Sequence, residues 1–169
     1  MKKRAKQIAM RGVVVQRHEA NPLVKESGDS VVVNRGVLRS LVMACPDGCG
    51  EVLTINLDAR AGMAWRYYER GGDVSLFPSV WRDTGCKSHF ILWRNKIFWC
   101  DLGDELDAPM HDVMEQVYGR LTDDLVSYAE VAESLDLVPW AVLSAARRLC
   151  RQGAAQEGKG KLQGHFKRG

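Results

Sequence analysis

Residues 45–51 read Cys-Pro-Asp-Gly-Cys-Gly-Glu, and this string indicates how the first half of the chain folds. Cys45 and Cys49 stand four positions apart on a predicted tight turn. Gly48 and Gly50 let the backbone fold round, because glycine adopts backbone conformations that other residues avoid. We therefore expect both sulfurs, together with some backbone amides, to face one point.

A second pair of candidate ligands, Cys86 and His89, has two residues between its members and, like the first pair, directly precedes a predicted strand. Loops that each donate two ligands before a strand are typical of zinc knuckles, in which the metal joins the two loops. Thiolates and an imidazole in a closed tetrahedral shell favour Zn²⁺ and leave no position for water, so we predict a structural zinc rather than a catalytic one. The predicted ligands are Cys45, Cys49, Cys86 and His89.

Two other interpretations of these residues stay open. In the first, the cysteines are small buried core residues and His89 is a hydrogen-bonded core histidine. In the second, a cysteine is a nucleophile and His89 is its base, although the sequence supplies no third group to orient the histidine. Disulfides are not expected in a cytoplasmic protein, and Cys100 and Cys150 stand apart from the other three cysteines.

The segment 30–100 reads as strands separated by turns, which predicts an antiparallel, zinc-ribbon-like β domain. Residues 51–57 alternate with a period of two, as in a strand with one buried face. Residues 90–93 and 97–99 flank a three-residue turn and are predicted to form a hairpin. Four of the five tryptophans fall in this half of the chain, where we expect them to supply core area.

Beyond Pro109 the apolar residues recur with the period of helices. Residues 101–112 carry carboxylates, a glycine and a proline, and are predicted to be a linker. The remaining residues, 113–169, are predicted to form three helices followed by a small hairpin, which is the order of a winged helix. Ser127 is predicted to cap the second helix, and Pro139 suits the first position of the third. We therefore predict an α+β protein of two domains.

Basic residues on the third helix and on the hairpin are candidates for contact with DNA phosphates. They are Arg147, Arg148, Arg151, Lys159 and Lys161. Residues 113–169 hold eight Lys/Arg and seven Asp/Glu in total, whereas a dedicated DNA-binding domain is usually more basic. Protein docking and a plain packing role therefore stay open for this domain. A basic arm, residues 1–29, is a further candidate for binding nucleic acid or an acidic partner, or it is a solvated terminus.

The composition is that of a soluble globular protein, with 46% hydrophobic and 27% charged residues and a formal net charge of +3 over 169 residues. No apolar run approaches the roughly 18 residues that a membrane helix needs. The basic start of the chain lacks the apolar core of a signal peptide, so a cytoplasmic location is expected.

Several short strings together resemble a bacterial family of uncharacterised domains. They are CPxGCGE at 45–51, a tryptophan at 65, SLFPSV at 75–80, CxxHF at 86–90 and IFW at 97–99. Genes of that family lie beside homologues of ubiquitin-activating and ubiquitin-conjugating enzymes and of a JAB-type metalloprotease, in operons implicated in defence against phage. The resemblance implies zinc binding and a role close to protein conjugation, with protein partners from that system. Many members carry a further cysteine where Asp47 stands here.

The function predicted from these features is that of a zinc-binding accessory or adaptor protein in a bacterial ubiquitin-like conjugation system. The competing prediction is a DNA-binding regulator that uses the winged helix. A third follows from Gly169, because ubiquitin-like modifiers are conjugated through a C-terminal glycine and the chain is therefore itself a candidate modifier. The closed metal shell argues against a catalytic zinc, so a non-enzymatic role is favoured, although the sequence does not decide enzyme activity.

Overall fold

The computed structural model describes residues 3–102 and 110–169, which fall into two compact units. The N-terminal unit consists mainly of strands, and the C-terminal unit consists of helices with a small sheet, so the α+β prediction is confirmed. The predicted linker, residues 101–112, lies mostly outside the described residues.

Nine strands occur in the described residues of the N-terminal unit. In chain order they are β1 (Ala9–Val14), β2 (Asp29–Asn34), β3 (Leu38–Ala44), β4 (Val52–Asn56), β5 (Arg66–Arg70), β6 (Asp73–Phe77), β7 (Val80–Trp81), β8 (His89–Trp93) and β9 (Lys96–Trp99). Strands β1 to β4 form one sheet in that order, β5 pairs with β6, and β7, β8 and β9 form a third sheet. The strand predicted over residues 51–57 and the hairpin over 90–99 are confirmed, as is the general interpretation of 30–100 as strands separated by turns.

The two central strands of the first sheet, β2 and β3, are covered on both faces, which explains why they show no polar alternation. Val31 and Val33 of β2 pack in one apolar cluster with Val42 of β3. Val32 points the other way and packs in a larger cluster that includes Leu41. A strand that is covered on both faces reads as a continuous apolar run.

The first strand lies in the segment for which the sequence predicted a basic arm. Strand β1 pairs with β2 in parallel, so this sheet is mixed, whereas an antiparallel domain was expected. Arg4 forms ion pairs with Asp47 and Asp101, and its guanidinium lies 4.4 Å from the ring of Trp99. Some basic side chains of this segment therefore bind acidic groups of the same unit, which a count of charges along the chain does not reveal.

Asp29, the first residue of β2, is a buried carboxylate surrounded by donors. Its relative exposure is 3%, and it accepts hydrogen bonds from the backbone N–H groups of Lys25 at 3.1 Å and Glu26 at 2.8 Å and from Arg11 Nε at 2.7 Å. Burial by itself raises the pKa of this carboxyl, but the hydrogen bonds outweigh burial and lower the pKa below its usual value. The charged form of Asp29 therefore links β2 to β1.

Replacing Asp29 with asparagine is expected to lower the free energy of unfolding at pH 7 by about 2 kcal/mol, because the charge-assisted hydrogen bonds are lost. Since the folded pKa is depressed, the contribution of the carboxylate is complete above its unfolded pKa of about 4 and is lost as the pH falls through the folded value. The difference between wild type and Asp29→Asn in urea unfolding should therefore shrink below about pH 4. Asp83→Asn alters an exposed carboxyl and is the control. An undiminished difference in strong acid would contradict the prediction.

The C-terminal unit has three helices and three short strands within residues 110–169. They are α1 (His111–Arg120), β10 (Val126–Ser127), α2 (Tyr128–Leu135), α3 (Pro139–Arg151), β11 (Ala155–Glu157) and β12 (His165–Arg168). Strand β12 lies between β10 and β11 and is antiparallel to both. Ser127 Oγ accepts a hydrogen bond from the N–H of Ala129 at 3.2 Å and so caps α2, as predicted. Across the described residues, no helix combines the length and the apolar character that crossing a membrane requires.

Candidate active site and metal centre

Three cysteines from two loops meet in the N-terminal unit. Cys45 follows β3, Cys49 lies on the turn before β4, and Cys86 belongs to the loop between β7 and β8. The turn is closed by the N–H of Cys45, which donates to Glu51 O at 2.8 Å, and by the N–H of Gly48, which donates to Cys45 O at 3.0 Å. The three sulfurs lie within 4.8 Å of one another, with 3.6 Å between those of Cys45 and Cys86. We call this group the cysteine cluster.

The cysteine cluster fits a metal ion of the kind that the sequence predicted. Zinc–sulfur bonds of about 2.3 Å in a tetrahedron place neighbouring sulfurs about 3.8 Å apart. The separation of 3.6 Å between Cys45 Sγ and Cys86 Sγ is close to that value. Soft thiolate donors suit Zn²⁺, and three of them leave one of its four coordination positions to a further ligand.

The guanidinium of Arg82 lies against all three sulfurs. Its Nη1 is 3.3 Å from Cys86 Sγ, 3.8 Å from Cys49 Sγ and 4.0 Å from Cys45 Sγ. Its Nη2 forms an ion pair with Glu51. The positive charge of Arg82 therefore faces the sulfurs, where it favours thiolates over thiols.

Cys45 and Cys86 differ in acidity because their surroundings differ. Burial raises the pKa of the Cys45 thiol to about 11. Burial also acts to raise the pKa of Cys86, but hydrogen bonds to the side chain and the backbone of Ser88 help to outweigh it, and that pKa is lowered to about 7. Cys86 therefore offers a thiolate at neutral pH more readily than Cys45 does.

His89, the fourth predicted ligand, lies outside the cysteine cluster in the described part of the chain. It is the first residue of β8, and its Nε2 is 2.9 Å from the Oγ of Ser79, which lies between β6 and β7. Asp47, at the position where the resembling family carries a further cysteine, accepts a hydrogen bond from Arg4 Nε at 2.8 Å. The structure thus brings three of the four predicted ligands together and pairs the fourth with a serine.

Ser79 and His89 form a serine–histidine pair at the start of a small sheet. Trp81, two residues after the serine, lies opposite His89 in the antiparallel pairing of β7 with β8. The carbonyl of Ser79 accepts a hydrogen bond from Trp65 Nε1 at 3.2 Å, which holds the backbone of the serine. Both members of the pair are half-buried. A serine within hydrogen-bonding distance of a histidine has the arrangement that activates a hydroxyl as a nucleophile.

The sequence pattern did not single out Ser79 as a functional residue. The available signal was a serine after a proline between two predicted strands, and many surface turns share that signal. No carboxylate in residues 3–102 or 110–169 accepts a hydrogen bond from the ring of His89. The described residues therefore provide a dyad, without the third member that orients the histidine in a catalytic triad.

The residues predicted to contact DNA lie on α3 and in the segment between β11 and β12. They comprise the exposed Arg147, Arg151, Lys159 and Lys161 and the half-buried Arg148. Arg147 Nη2 pairs with Glu157 Oε1 at 3.4 Å, which joins α3 to β11. Contact with nucleic acid stays a prediction for these residues.

Gly169, the predicted conjugation site, lies beside the residues that precede β11. Its N–H donates to Ala154 O at 3.0 Å. A Cβ at this position would lie 2.7 Å from the carbonyl oxygen of Gly153, so a side chain does not fit without movement. A role for Gly169 in conjugation stays a prediction.

A family model described as "Bacterial ubiquitination-like system serine protease (BubE)" matches residues 16–100, half of the chain. The matched range contains the whole cysteine cluster and both members of the serine–histidine pair. No curated protein and no solved structure shows significant similarity to the chain. The match confirms the predicted link to a bacterial ubiquitin-like system and adds the class of a serine protease.

Proposed function

Since the chain belongs to the family of bacterial ubiquitination-like system serine proteases (BubE), we propose that it is a serine hydrolase in which Ser79 is the nucleophile and His89 the general base. The chain is accordingly a component of such a system. The observation that carries the proposal is the distance of 2.9 Å between Ser79 Oγ and His89 Nε2. This distance lies within the range over which a base takes the proton of the hydroxyl that it activates.

The chemistry follows from the two side chains. Ser79 Oγ attacks the carbonyl carbon of the bond to be cut while His89 Nε2 takes the hydroxyl proton. The tetrahedral adduct collapses to an acyl-enzyme, and His89 gives the proton to the departing amine. Water, deprotonated by the same histidine, then attacks the acyl-enzyme ester. The carboxylic acid is released, and His89 returns the proton to Ser79 Oγ. The bond that best fits the system is an amide or ester at the C-terminal end of a ubiquitin-like protein.

The cysteine cluster supports this site from one side. Cys86 lies three residues before His89, and Arg82 directly follows Trp81. The N–H of Arg82 donates to Ser88 O at 2.9 Å, which closes the loop between β7 and β8 at its base. A metal held by the three cysteines would fix this loop, and so the position of the base opposite Trp81, without taking part in the proton transfers.

The proposed division of roles differs from the ligand set that the sequence predicted. We propose that Cys45, Cys49 and Cys86 hold the zinc and that His89 serves Ser79. The alternative, in which His89 completes the zinc shell, takes the base away from the serine. The two arrangements exclude each other at Nε2, since one lone pair cannot accept the serine proton and bind the metal at once.

The first test is covalent labelling of the full chain by a fluorophosphonate, which reacts with activated serines. We expect one adduct per chain, on the peptide that contains Ser79, as located by mass spectrometry. A companion assay uses the ubiquitin-like protein of the same system, fused to a C-terminal extension, and should show release of that extension. If the chain stays unlabelled after prolonged exposure to the fluorophosphonate and the fusion is not cleaved, the proposal of a hydrolase is wrong.

A non-catalytic adaptor is the second candidate, and the C-terminal unit is the observation that favours it. This unit lies outside the matched residues 16–100. We propose that its order of helices and strands is that of a winged helix, an arrangement that also serves in protein docking. Copurification with conjugation enzymes by a chain that resists fluorophosphonate would favour the adaptor.

Nucleic-acid binding stays a proposal for the same unit because its charges are segregated. Residues 110–138 carry one Lys/Arg and seven Asp/Glu, whereas residues 139–169 carry seven Lys/Arg and one Asp/Glu. The basic half contains α3 and the hairpin of β11 and β12. Duplex DNA binding that weakens steeply between about 50 and 200 mM salt would support a regulator. If the chain does not bind duplex DNA even at the lower salt concentration, the proposal of a DNA-binding regulator is wrong.

A further inference from the structure

Strand β7 has one edge paired with β8, and the direction of its backbone groups follows from the pairing. Val80 lies opposite Phe90, and Trp81 lies opposite His89. The N–H of Arg82 donates to Ser88 O at 2.9 Å, so the next pair along the ladder is a hydrogen-bonded one. Hydrogen-bonded and non-hydrogen-bonded pairs alternate between antiparallel strands. The Trp81–His89 pair is therefore a non-hydrogen-bonded pair, and the N–H and C=O of Trp81 point away from β8.

That outer edge carries no further strand in the described residues, because β7 is an outer member of the sheet β7–β8–β9. The backbone of Trp81 has no hydrogen-bonding partner from outside the β7–β8 pair in residues 3–102 and 110–169. The edge consequently presents one donor and one acceptor, two residues beyond Ser79. An extended chain that pairs with such an edge satisfies these groups by β-augmentation.

The side chains of Ser79, Trp81 and His89 lie on one face. Val80 and Phe90 are 5% and 0% exposed and belong to the apolar core. Because side chains alternate across a strand, the residues next to Val80 and Phe90 face away from the core. Trp81 is 68% exposed, and its ring centroid lies 6.1 Å from that of His89. A large apolar ring is thus exposed directly beside the dyad.

We propose that the substrate binds as an extended peptide along the outer edge of β7, with the indole of Trp81 contacting the residue next to the bond that is cut. The inference rests on the proposed function and adds to it a substrate class and a residue that determines specificity. Main-chain pairing with Trp81 sets the register of the peptide, and that register brings its carbonyl to Ser79 Oγ. The indole then covers one side chain of the peptide.

This geometry selects among the forms that a ubiquitin-like substrate takes. A flexible C-terminal tail of several residues can lie along an edge strand and pair with it. A helix has its backbone groups already bonded, and a small ester has no main chain to pair. We therefore expect efficient turnover of extended tails and slow turnover of esters that touch only the dyad.

The test compares Trp81→Ala with the wild-type full chain on a fluorogenic hexapeptide amide whose sequence is the C-terminal tail of the system's ubiquitin-like protein. We expect KM to rise about 5- to 10-fold, which corresponds to the loss of one aromatic contact. We expect kcat to change less than KM, and Trp81→Phe to restore most of the lost affinity. N-methylation of the peptide amide that pairs with Trp81 should lower kcat/KM of the wild type about 10-fold, since a hydrogen bond is lost and the edge is blocked.

The control variant is Met63→Ala, which removes another exposed apolar side chain, 93% exposed. It should hydrolyse the hexapeptide like the wild type. Hydrolysis of a small ester, p-nitrophenyl acetate, measures the activity of the dyad alone, since this ester has no main chain that could pair with the edge of β7. If the wild type cleaves both probes but neither Trp81→Ala nor N-methylation alters hydrolysis of the hexapeptide, the edge-binding inference is wrong and the hydrolase stands. If the wild type cleaves neither probe and is not labelled by a fluorophosphonate, the hydrolase and the inference fail together.

Discussion

Ser79→Ala should lower kcat/KM for release of a C-terminal extension from the ubiquitin-like protein by at least about 1000-fold. The loss is large because no other hydroxyl replaces the nucleophile, and the acyl-enzyme cannot form. His89→Asn should cost about as much, since residues that act as one catalytic unit give non-additive losses. The double variant should therefore be little worse than either single one. Initial rates with purified full chains, and fluorophosphonate labelling of each variant, measure these effects.

Thr84→Ala serves as the matched control, because it removes an exposed hydroxyl from the loop between β7 and β8. It should keep wild-type activity and labelling. The zinc content of His89→Asn is a second measurement on this variant, since the metal should remain bound if three cysteines hold it. Loss of the metal in His89→Asn would show that the histidine is a ligand, as the sequence predicted, and would remove it as the base. Full activity in Ser79→Ala would exclude this serine as the nucleophile.

Cys86→Ser should release the metal and destabilise the N-terminal unit by more than about 3 kcal/mol, because binding free energy at a structural site is also folding free energy. The melting temperature of this unit is expected to fall by more than about 10 °C. Tryptophan fluorescence follows the transition, since four of the five tryptophans lie in the N-terminal unit. Elemental analysis before and after melting gives the metal content.

Cys100→Ser is the control for this experiment, as it removes an exposed thiol of the same unit that lies outside the cysteine cluster. It should bind metal and melt like the wild type. A strong chelator added to the wild type should reproduce the melting temperature of Cys86→Ser. If the wild type purifies without metal and melts as before in chelator, the cysteine cluster is not a metal site.

Much of the strand pattern could be predicted from the sequence, because buried strands consist largely of apolar residues. Residues 31–33 and 41–44 are apolar without interruption, and the structure buries both stretches. Strand β1 could not be predicted in this way, since Arg11 and Gly12 interrupt its apolar residues and all six of its residues are exposed or half-buried. Its pairing with β2 is parallel and needs a connection across residues 15–28, which no local pattern specifies.

The candidate site likewise has one part that the sequence predicts and another part that it does not. The turn that joins Cys45 to Cys49 could be predicted because its cause is local: Gly48 adopts φ 77° and Gly50 adopts φ 88°, conformations that suit glycine. The partner of His89 could not be predicted in this way. Its spacing relative to Cys86 predicted a metal ligand. In the structure its Nε2 lies instead 2.9 Å from the Oγ of Ser79, ten positions earlier in the chain.

Local spacing along the chain therefore determined the candidate ligands on each loop, the strands that follow them and the cap of α2, because turns, caps and alternation act over a few residues. Tertiary structure decided which atoms meet. Pairing of β7 with β8 buries Val80 and Phe90 and so turns Trp81 and His89 outward, onto the face that carries Ser79. The physical reason is that contacts between distant residues depend on strand register, and register is set by how the whole sheet packs against its core.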